Sequence, residues 1–322
     1  MKLSFSDQFW EYGGSVTSKI DCMVDHPKIL LVDCGSEVRE ILDKVAESSD
    51  GTVENVSDGG TALERIRNAE FDIVVAGLSS PGEDGPGVDG LDLLRKLRAL
   101  RPALKVLLIA SEPKPDDVMQ SIRERAYSYF SRPLTEQAMG DIVASAMRNP
   151  DWADGIELVS ATRDWFTFRV RCQAENADRL LQFLREMKSG IPARERDDVI
   201  TALRELLMNA IEHGGRSDPS QKIYINYVQS ARAMIYHIQD PGSGFSFEDL
   251  PHAAVSYSDG SPIEHAAVRD QLGIRPGGFG ILMTRKLVDE LIYNEKGNEV
   301  LMIKYLACAP DEPAARDGAN QD

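Results

Sequence analysis

The chain has 322 residues and no apolar run long enough to cross a bilayer. Runs such as Ile29-Leu30-Leu31-Val32 and Val106-Leu107-Leu108-Ile109-Ala110 fall far short of the ~20 residues a spanning helix needs. Cysteine is scarce. Cys22, Cys34, Cys172 and Cys308 stand far apart with no CxxC spacing, which argues against a disulfide framework or a zinc site. A reducing cytoplasm is therefore the expected setting. Positive charge is outweighed: 36 Lys+Arg face 52 Asp+Glu, for a net charge of −16 and a pI near 4.8. Such a balance opposes binding to nucleic acid or to an anionic membrane. Histidine is missing between His26 and His213. The opening residues, MKLSFSDQFWEYGG, lack a charged-then-apolar pattern ending in a small-residue cleavage site, so no export signal is expected. Internal repeats are also missing.

What is present reads as two folded units. Hydrophobic content of 42% with 27% charged residues is ordinary for globular protein, and single cores usually stop growing near ~250–300 residues. Residues 1–27 show no sustained period and read as an arm. From there short apolar runs alternate with helical spacing. Strands are expected at Ile29–Val32, Thr52–Val56, Asp72–Ala76, Lys105–Ala110 and Tyr127–Phe130. Helices are expected over Val38–Ala46, Thr61–Asn68, Leu91–Leu100, Pro115–Glu124 and Thr135–Met147. Five strands alternating with five helices imply a parallel sheet covered on both faces.

Residues 149–156, polar and containing Pro150, read as a linker. The remainder, 157–307, follows a different grammar. A strand at Trp165–Arg171 precedes helices over Ala174–Met187 and Ala193–His213, the second closed by Gly214-Gly215. Strands Lys222–Val228 and Ala233–Gln239, a helix from Gly278 to about Glu290, and a hairpin of Leu291–Asn294 with Glu299–Leu306 complete it. Paired strands beside a few helices suggest a two-layer α/β sandwich. Residues 308–322 form an acidic tail.

The first unit, residues 28–148, resembles a two-component receiver domain, carried by ILLVDCGSEVREIL, FDIVVAGLSSPG, DGLDLLRKLR, KVLLIAS and SYFSRPLTEQAM. The resemblance implies a flavodoxin-like (βα)5 fold. It also shows which chemistry is gone. Gly77 stands where the phosphate-accepting Asp belongs, Asp33-Cys34 replace an acidic pair, Ala110 takes the hydroxyl position and Arg132 replaces the lysine before Pro133. Glycine offers no nucleophile, and one carboxylate holds Mg2+ poorly. The unit is expected to be a pseudo-receiver that takes no phosphate, with Asp33 reduced to a loop-capping role. By resemblance Pro133 follows a cis bond. The unit is expected to serve as an interaction surface, in a homodimer or against the rest of the chain.

The second unit carries three separated motifs. In ALRELLMNAIEH, Glu205 and Asn209 lie four apart on one helix face, and His213 extends that face with some drift. An amide oxygen can hold Mg2+ beside a triphosphate without adding negative charge, and a carboxylate one turn earlier can take a proton from a hydroxyl or water. Asp240-Pro241-Gly242-Ser243-Gly244 follows a strand, where a carboxylate can accept an adenine amino hydrogen and glycines let backbone approach the base. Arg275-Pro276-Gly277-Gly278-Phe279-Gly280 opens a helix whose first N–H groups suit phosphates. No GK[ST] follows, so it is not a Walker loop, and no βαβ unit surrounds it.

In this order the three motifs resemble the N, first-glycine and second-glycine boxes of the Bergerat-fold (GHKL) ATPases. ELLMNAIEHG and PGGFGILMTRKLVDEL look most like the anti-sigma-factor serine/threonine kinases. The resemblance implies ATP and Mg2+, Glu205 as general base, Asn209 as the Mg2+ ligand and Asp240 as adenine reader. Gly242 and Gly244 would shape the base pocket, while Gly277, Gly278 and Gly280 would cradle phosphates. His213 is expected to be a structural neighbour, while Arg275 reads equally as a γ-phosphate contact and as an ordinary surface arginine. A histidine kinase would need a phosphoacceptor histidine ahead of this unit, in the stretch where none occurs. Chaperone-, gyrase- and mismatch-repair-type ATPases carry further domains after the ATPase unit, which are not expected here.

The expected function is thus phosphoryl transfer from ATP to a Ser or Thr of a small protein. By resemblance that partner is an anti-sigma-factor antagonist of the STAS type, with a sigma factor as a further partner. The alternative is a nucleotide-gated binding module that sequesters such a regulator without transfer. ATP hydrolysis, with Glu205 acting on water, is a third outcome of the same site.

Overall fold

A computed structural model describes residues 26–78, 89–112, 114–162, 164–187, 192–245 and 280–306. The N-terminal half alternates as its pattern dictates: β1 (Lys28–Val32), α1 (Gly35–Ser48), β2 (Thr52–Val56), α2 (Gly59–Asn68), β3 (Ile73–Leu78), α3 (Gly90–Leu100), β4 (Lys105–Ala110), α4 (Pro115–Arg123), β5 (Ser128–Ser131) and α5 (Glu136–Arg148). The strands run parallel in the order β2-β1-β3-β4-β5. Ile29, Leu30, Leu31 and Val32 are all fully buried, which is why β1 is continuously apolar rather than alternating: helices cover both faces. Side chains set the helix starts. Asp58 accepts the Thr61 N–H at 2.9 Å, Asp89 those of Leu91 and Asp92 at 3.0 and 3.1 Å, and Thr135 that of Ala138 at 3.2 Å. Each such cap contributes about 1 kcal/mol.

The C-terminal half holds β6 (Ile156–Ala161), β7 (Trp165–Arg171), α6 (Ala174–Glu186), α7 (Ala193–Asn209), β8 (Lys222–Gln229), β9 (Ala233–Gln239), α8 (Gly280–Leu287), β10 (Glu290–Tyr293) and β11 (Glu299–Tyr305). Its six strands form an antiparallel sheet, β10-β11-β9-β8-β7-β6. Alternation now has one buried side. Phe166, Phe168, Val170, Ile223, Ile225, Tyr227, Met234, Tyr236, Ile238, Val300 and Met302 point inward, where α6, α7 and α8 form the second layer.

Two local features differ from the expected layout. The helix from Ala193 stays α-helical only to Asn209, and Ala210–Gly214 continue as a π-helical turn. Residues 149–156 are a folded joint. Asn149 and Trp152 are buried, Trp152 Nε1 donates to the Ala103 carbonyl at 2.8 Å, and β6 already begins at Ile156. A contiguous buried apolar cluster runs from the receiver-like sheet, through Val118, Met119 and Tyr129, to Leu180 and Phe183 of α6. Among the described residues no helix is long and apolar enough to cross a membrane.

Candidate functional site

The receiver-like half places Gly77, the position of the expected acceptor, at the C-terminal end of β3 beside the β1–α1 loop. A Cβ added there would overlap the carbonyl oxygen of Asp33 and stand 3.2 Å from its carbonyl carbon. The Asp33 backbone is left-handed, at φ 48°, and its N–H is tied to the Val56 carbonyl at 3.1 Å. Arg132 closes the loop from the other side, donating through Nη2 to the Cys34 carbonyl at 2.6 Å and through Nη1 to Glu37 Oε2 at 2.8 Å. The Arg132–Pro133 bond is cis. Cys34 points inward: its Sγ sits 3.2 Å from the Val32 carbonyl, and burial pushes the thiol up to about 12. The place a phosphorylated side chain would occupy is filled by backbone.

In the C-terminal half, α7 is positioned by Val199, Ile200, Ala202, Leu203, Leu206 and Leu207, all buried. That leaves Glu205 and Asn209 half-buried on another side of the helix. α8 packs against α7, held at its first turn by the Thr284 hydroxyl, which donates to the Gly280 carbonyl at 2.8 Å. A Cβ at Gly280 would stand 2.6 Å from Glu205 Oε2 and 3.8 Å from Asn209 Nδ2. The glycine therefore keeps open a niche shared by a carboxylate and an amide. The carboxylate oxygen there is a hard donor of the kind Mg2+ takes, and the Asn209 amide, whose Nδ2 is the atom nearest Gly280, carries an oxygen as its second, so the residue types present fit a Mg2+-nucleotide.

One turn beyond Asn209, the π-helical turn brings Gly214 against Asp240. Any side chain at Gly214 would overlap the Asp240 carboxyl, and a Cβ at Gly242 would lie 2.9 Å from Gly214 Cα. Asp240 Oδ1 accepts the Gly242 N–H at 2.7 Å. Burial raises the pKa of this carboxyl, opposed by that N–H bond and by the Lys296 charge. Cys172 lies behind it, fully buried, its thiol pushed up to about 11 by burial and by the charges of Asp218 and Asp240. Tyr293, raised to about 12 by burial and then by Asp240, meets Phe245 edge-on at 5.3 Å.

The β10–β11 turn completes this side. Asp240 N–H donates to the Asn298 carbonyl at 3.0 Å, and Asn298 Nδ2 donates back to the Asp240 carbonyl at 3.3 Å. Asn294 Oδ1 receives the N–H groups of Gly297, at 2.7 Å, and Asn298, at 3.1 Å. Gly244 (φ 80°) and Gly297 (φ 76°) interlock: a side chain on the first would overlap the Lys296 carbonyl, and on the second the Phe245 carbonyl. Both conditions, positive φ and backbone contact, admit only glycine.

Of the residues expected from sequence, the structure thus groups Glu205, Asn209 and Gly280, and separately Asp240, Gly242 and Gly244. His213 is exposed. Gly277, Gly278 and Arg275 lie outside the described residues. Sequence reasoning missed Gly214, read only as a helix terminator, Cys172, read only as an isolated cysteine, and Asn298 and Gly297, read only as part of a hairpin turn. The signal for Gly214 was its place directly after the Asn209 motif, where a second glycine follows without need.

A parallel five-stranded receiver-type unit joined to an antiparallel sandwich of the GHKL ATPase kind defines a two-module signalling protein. Residues 29–144 belong to the response regulator receiver domain family, and residues 170–304 are a histidine kinase-like ATPase domain. Over 115 residues the chain is 31% identical to the chemotaxis protein CheY of Pseudomonas aeruginosa, which covers 35% of this chain and 89% of that protein. Over 121 residues it is 26% identical to the serine-protein kinase RsbW of Oceanobacillus iheyensis, covering 37% of this chain and 72% of that one. A receiver domain protein from Methanospirillum hungatei, described as CheY-like, aligns with 39% of this chain and 98% of its own at 22% identity and a TM-score of 0.33.

Proposed function

We propose that this ATP-binding regulatory protein is a serine/threonine protein kinase of the anti-sigma-factor type, whose fused receiver domain takes no phosphate. The observation that carries the reading is the niche beside Gly280, where Glu205 and Asn209 meet, with Gly214 packed on Asp240 one turn further along. Likeness to the serine-protein kinase RsbW supports it. In this reading Asp240 accepts the adenine amino hydrogen, Gly242 and Gly244 let the backbone approach the base, and Gly277, Gly278 and Gly280 leave N–H groups for phosphates. Asn209 would hold Mg2+, which when bound neutralises charge on the phosphates.

Transfer then needs only a nucleophile, supplied by a partner's Ser or Thr. Its hydroxyl oxygen forms a bond to the γ-phosphorus as the bridging bond to the β-phosphate breaks. ADP departs with the bonding electrons, and Glu205 accepts the hydroxyl proton. The partner fits a small STAS-type antagonist, and the net charge of −16 favours encounter with proteins that carry basic surfaces. Incubation with γ-labelled ATP, Mg2+ and a candidate partner tests this. Label should appear on a partner Ser or Thr, and Glu205→Gln should reduce it by about 10²-fold or more while ATP still binds. A nucleotide-dependent complex without label would establish the binding-module alternative instead.

A further inference from the structure

Among the described residues no strand lies beside the outer edge of β5, and α6 covers it instead. Successive outward groups of the edge meet successive residues on one helix face. The Tyr127 carbonyl accepts from Arg179 Nε at 3.1 Å and the Tyr129 carbonyl from Gln182 Nε2 at 3.1 Å. The Ser131 hydroxyl donates to Glu186 Oε2 at 2.5 Å, and Gln182 also donates to Glu186 Oε1 at 3.0 Å. A strand repeats every two residues along its edge, and a helix presents the same face at i, i+3 and i+7, so the two periods match here. Exposed edges recruit other chains unless covered. This one is covered from within.

Arg179 is the centre of that seam. It is 3% exposed. Its Nη1 donates to the Trp152 carbonyl at 3.0 Å and to Asn176 Oδ1 at 3.4 Å, and its guanidinium lies 4.4 Å from the Tyr127 ring centre and 5.0 Å from that of Trp152. Carbonyl dipoles and aromatic faces take the place of a carboxylate. The contact is reciprocal, since Arg123 at the end of α4 donates to the Ala161 carbonyl of β6 at 3.2 Å. α6 is buried on nearly every side, with Asn176, Leu180, Leu181, Phe183 and Leu184 all inside, as expected of a helix between two sheets.

From the seam to the nucleotide site is one further helix. Asp178, next to Arg179, pairs at 3.4 Å with Arg204, next to Glu205, and Arg185 pairs with Asp197 of α7 at 3.4 Å. At its other end the seam touches the filled receiver site, because Ser131 immediately precedes Arg132, which holds the β1–α1 loop.

We propose that the receiver domain positions the ATP site: the β5 edge holds α6 through Arg179, Gln182 and Glu186, and α6 sets α7 with Glu205 and Asn209. The three are positioning residues, and the coupling runs both ways, so nucleotide steadies β5 as β5 steadies the nucleotide site. This rests on the nucleotide reading of the C-terminal site.

The test uses the full chain with ATP and Mg2+. Gln182→Ala removes two seam hydrogen bonds and Ser131→Ala one, and both leave the core intact, whereas Arg179→Met strikes the centre and carries a risk of unfolding. Both mild variants should weaken ATP binding by about three- to tenfold, the scale of one hydrogen bond, with Gln182→Ala the weaker binder. In the wild type, ATP should slow amide exchange in residues 128–131. ATP affinity within twofold of wild type in both mild variants, with exchange in β5 unaltered by nucleotide, would overturn the coupling while leaving nucleotide binding in place. A wild-type chain that binds no ATP would overturn the underlying nucleotide reading as well.

Discussion

Gly77→Ala is the smallest perturbation that probes the filled receiver site. The added carbon would overlap the Asp33 carbonyl oxygen and press on its carbonyl carbon at 3.2 Å. Relief requires the β1–α1 loop to move, yet that loop is held by the Asp33 N–H bond to Val56 and by Arg132 on the Cys34 carbonyl. Overpacking against such backbone costs about 1–3 kcal/mol. At roughly 2–4 °C of Tm per kcal/mol for a protein of about this size, the midpoint of thermal unfolding followed by circular dichroism should fall by about 2–12 °C. Gly140→Ala is the control. Its Cβ would make an ordinary 3.9 Å contact with Val45 Cγ2 in the middle of α5, and removing a helical glycine stabilises by about 0.5–1 kcal/mol. Gly77→Asp, which restores the side chain receivers phosphorylate, should destabilise at least as much and gain no phosphate from acetyl phosphate by intact mass. A Gly77→Ala protein that melts within 1 °C of wild type, or a Gly77→Asp protein that is phosphorylated, would refute the reasoning.

Two further expectations follow from the site geometry. Because burial raises the Asp240 pKa, and the ionised carboxylate is the stronger acceptor for an adenine hydrogen, ATP affinity should begin to fall on acidification above the pH at which an exposed aspartate protonates. Asp240→Asn should bind more weakly and lose that pH step in a titration series; an unaltered pH profile in the variant would assign the step to another group. Cys34 and Cys172, with thiols pushed up to about 12 and about 11, should resist iodoacetamide in the folded protein and react in denaturant, with peptide mass spectrometry as readout.

Much of this fold was legible because periodicity and burial agree. β1 and β4 after their leading lysines, and β3 throughout, carry unbroken runs without polar side chains and are buried on both faces, and β7, β8 and β9 alternate and are buried on one. β6 escaped notice for the opposite reason. As an edge strand it buries no complete face, so IELVSA shows no decisive alternation. The π-helical turn was invisible because Ala210–Gly214 keeps an apolar stripe that an α-helix would share. Arg179 reads in sequence as a solvated residue, since arginine is rarely buried fully; only the edge of β5, brought in from 52 residues earlier in the chain, explains it. Asp240 was found through its motif, but Asn298, which hydrogen-bonds its backbone, belongs to a hairpin 58 residues away. Such partners are set by tertiary approach, and spacing cannot report them.

ATP is expected to occupy the niche between α7, α8 and the Asp240 loop. Isothermal titration of ATP with Mg2+ into the full chain, beside GTP and beside Asp240→Asn, measures this. The prediction is one ATP per chain, markedly weaker binding of GTP, which lacks the amino group Asp240 would read, and a matching loss in the variant. No ATP binding, or equal affinity for both nucleotides with Asp240→Asn unchanged, would contradict it.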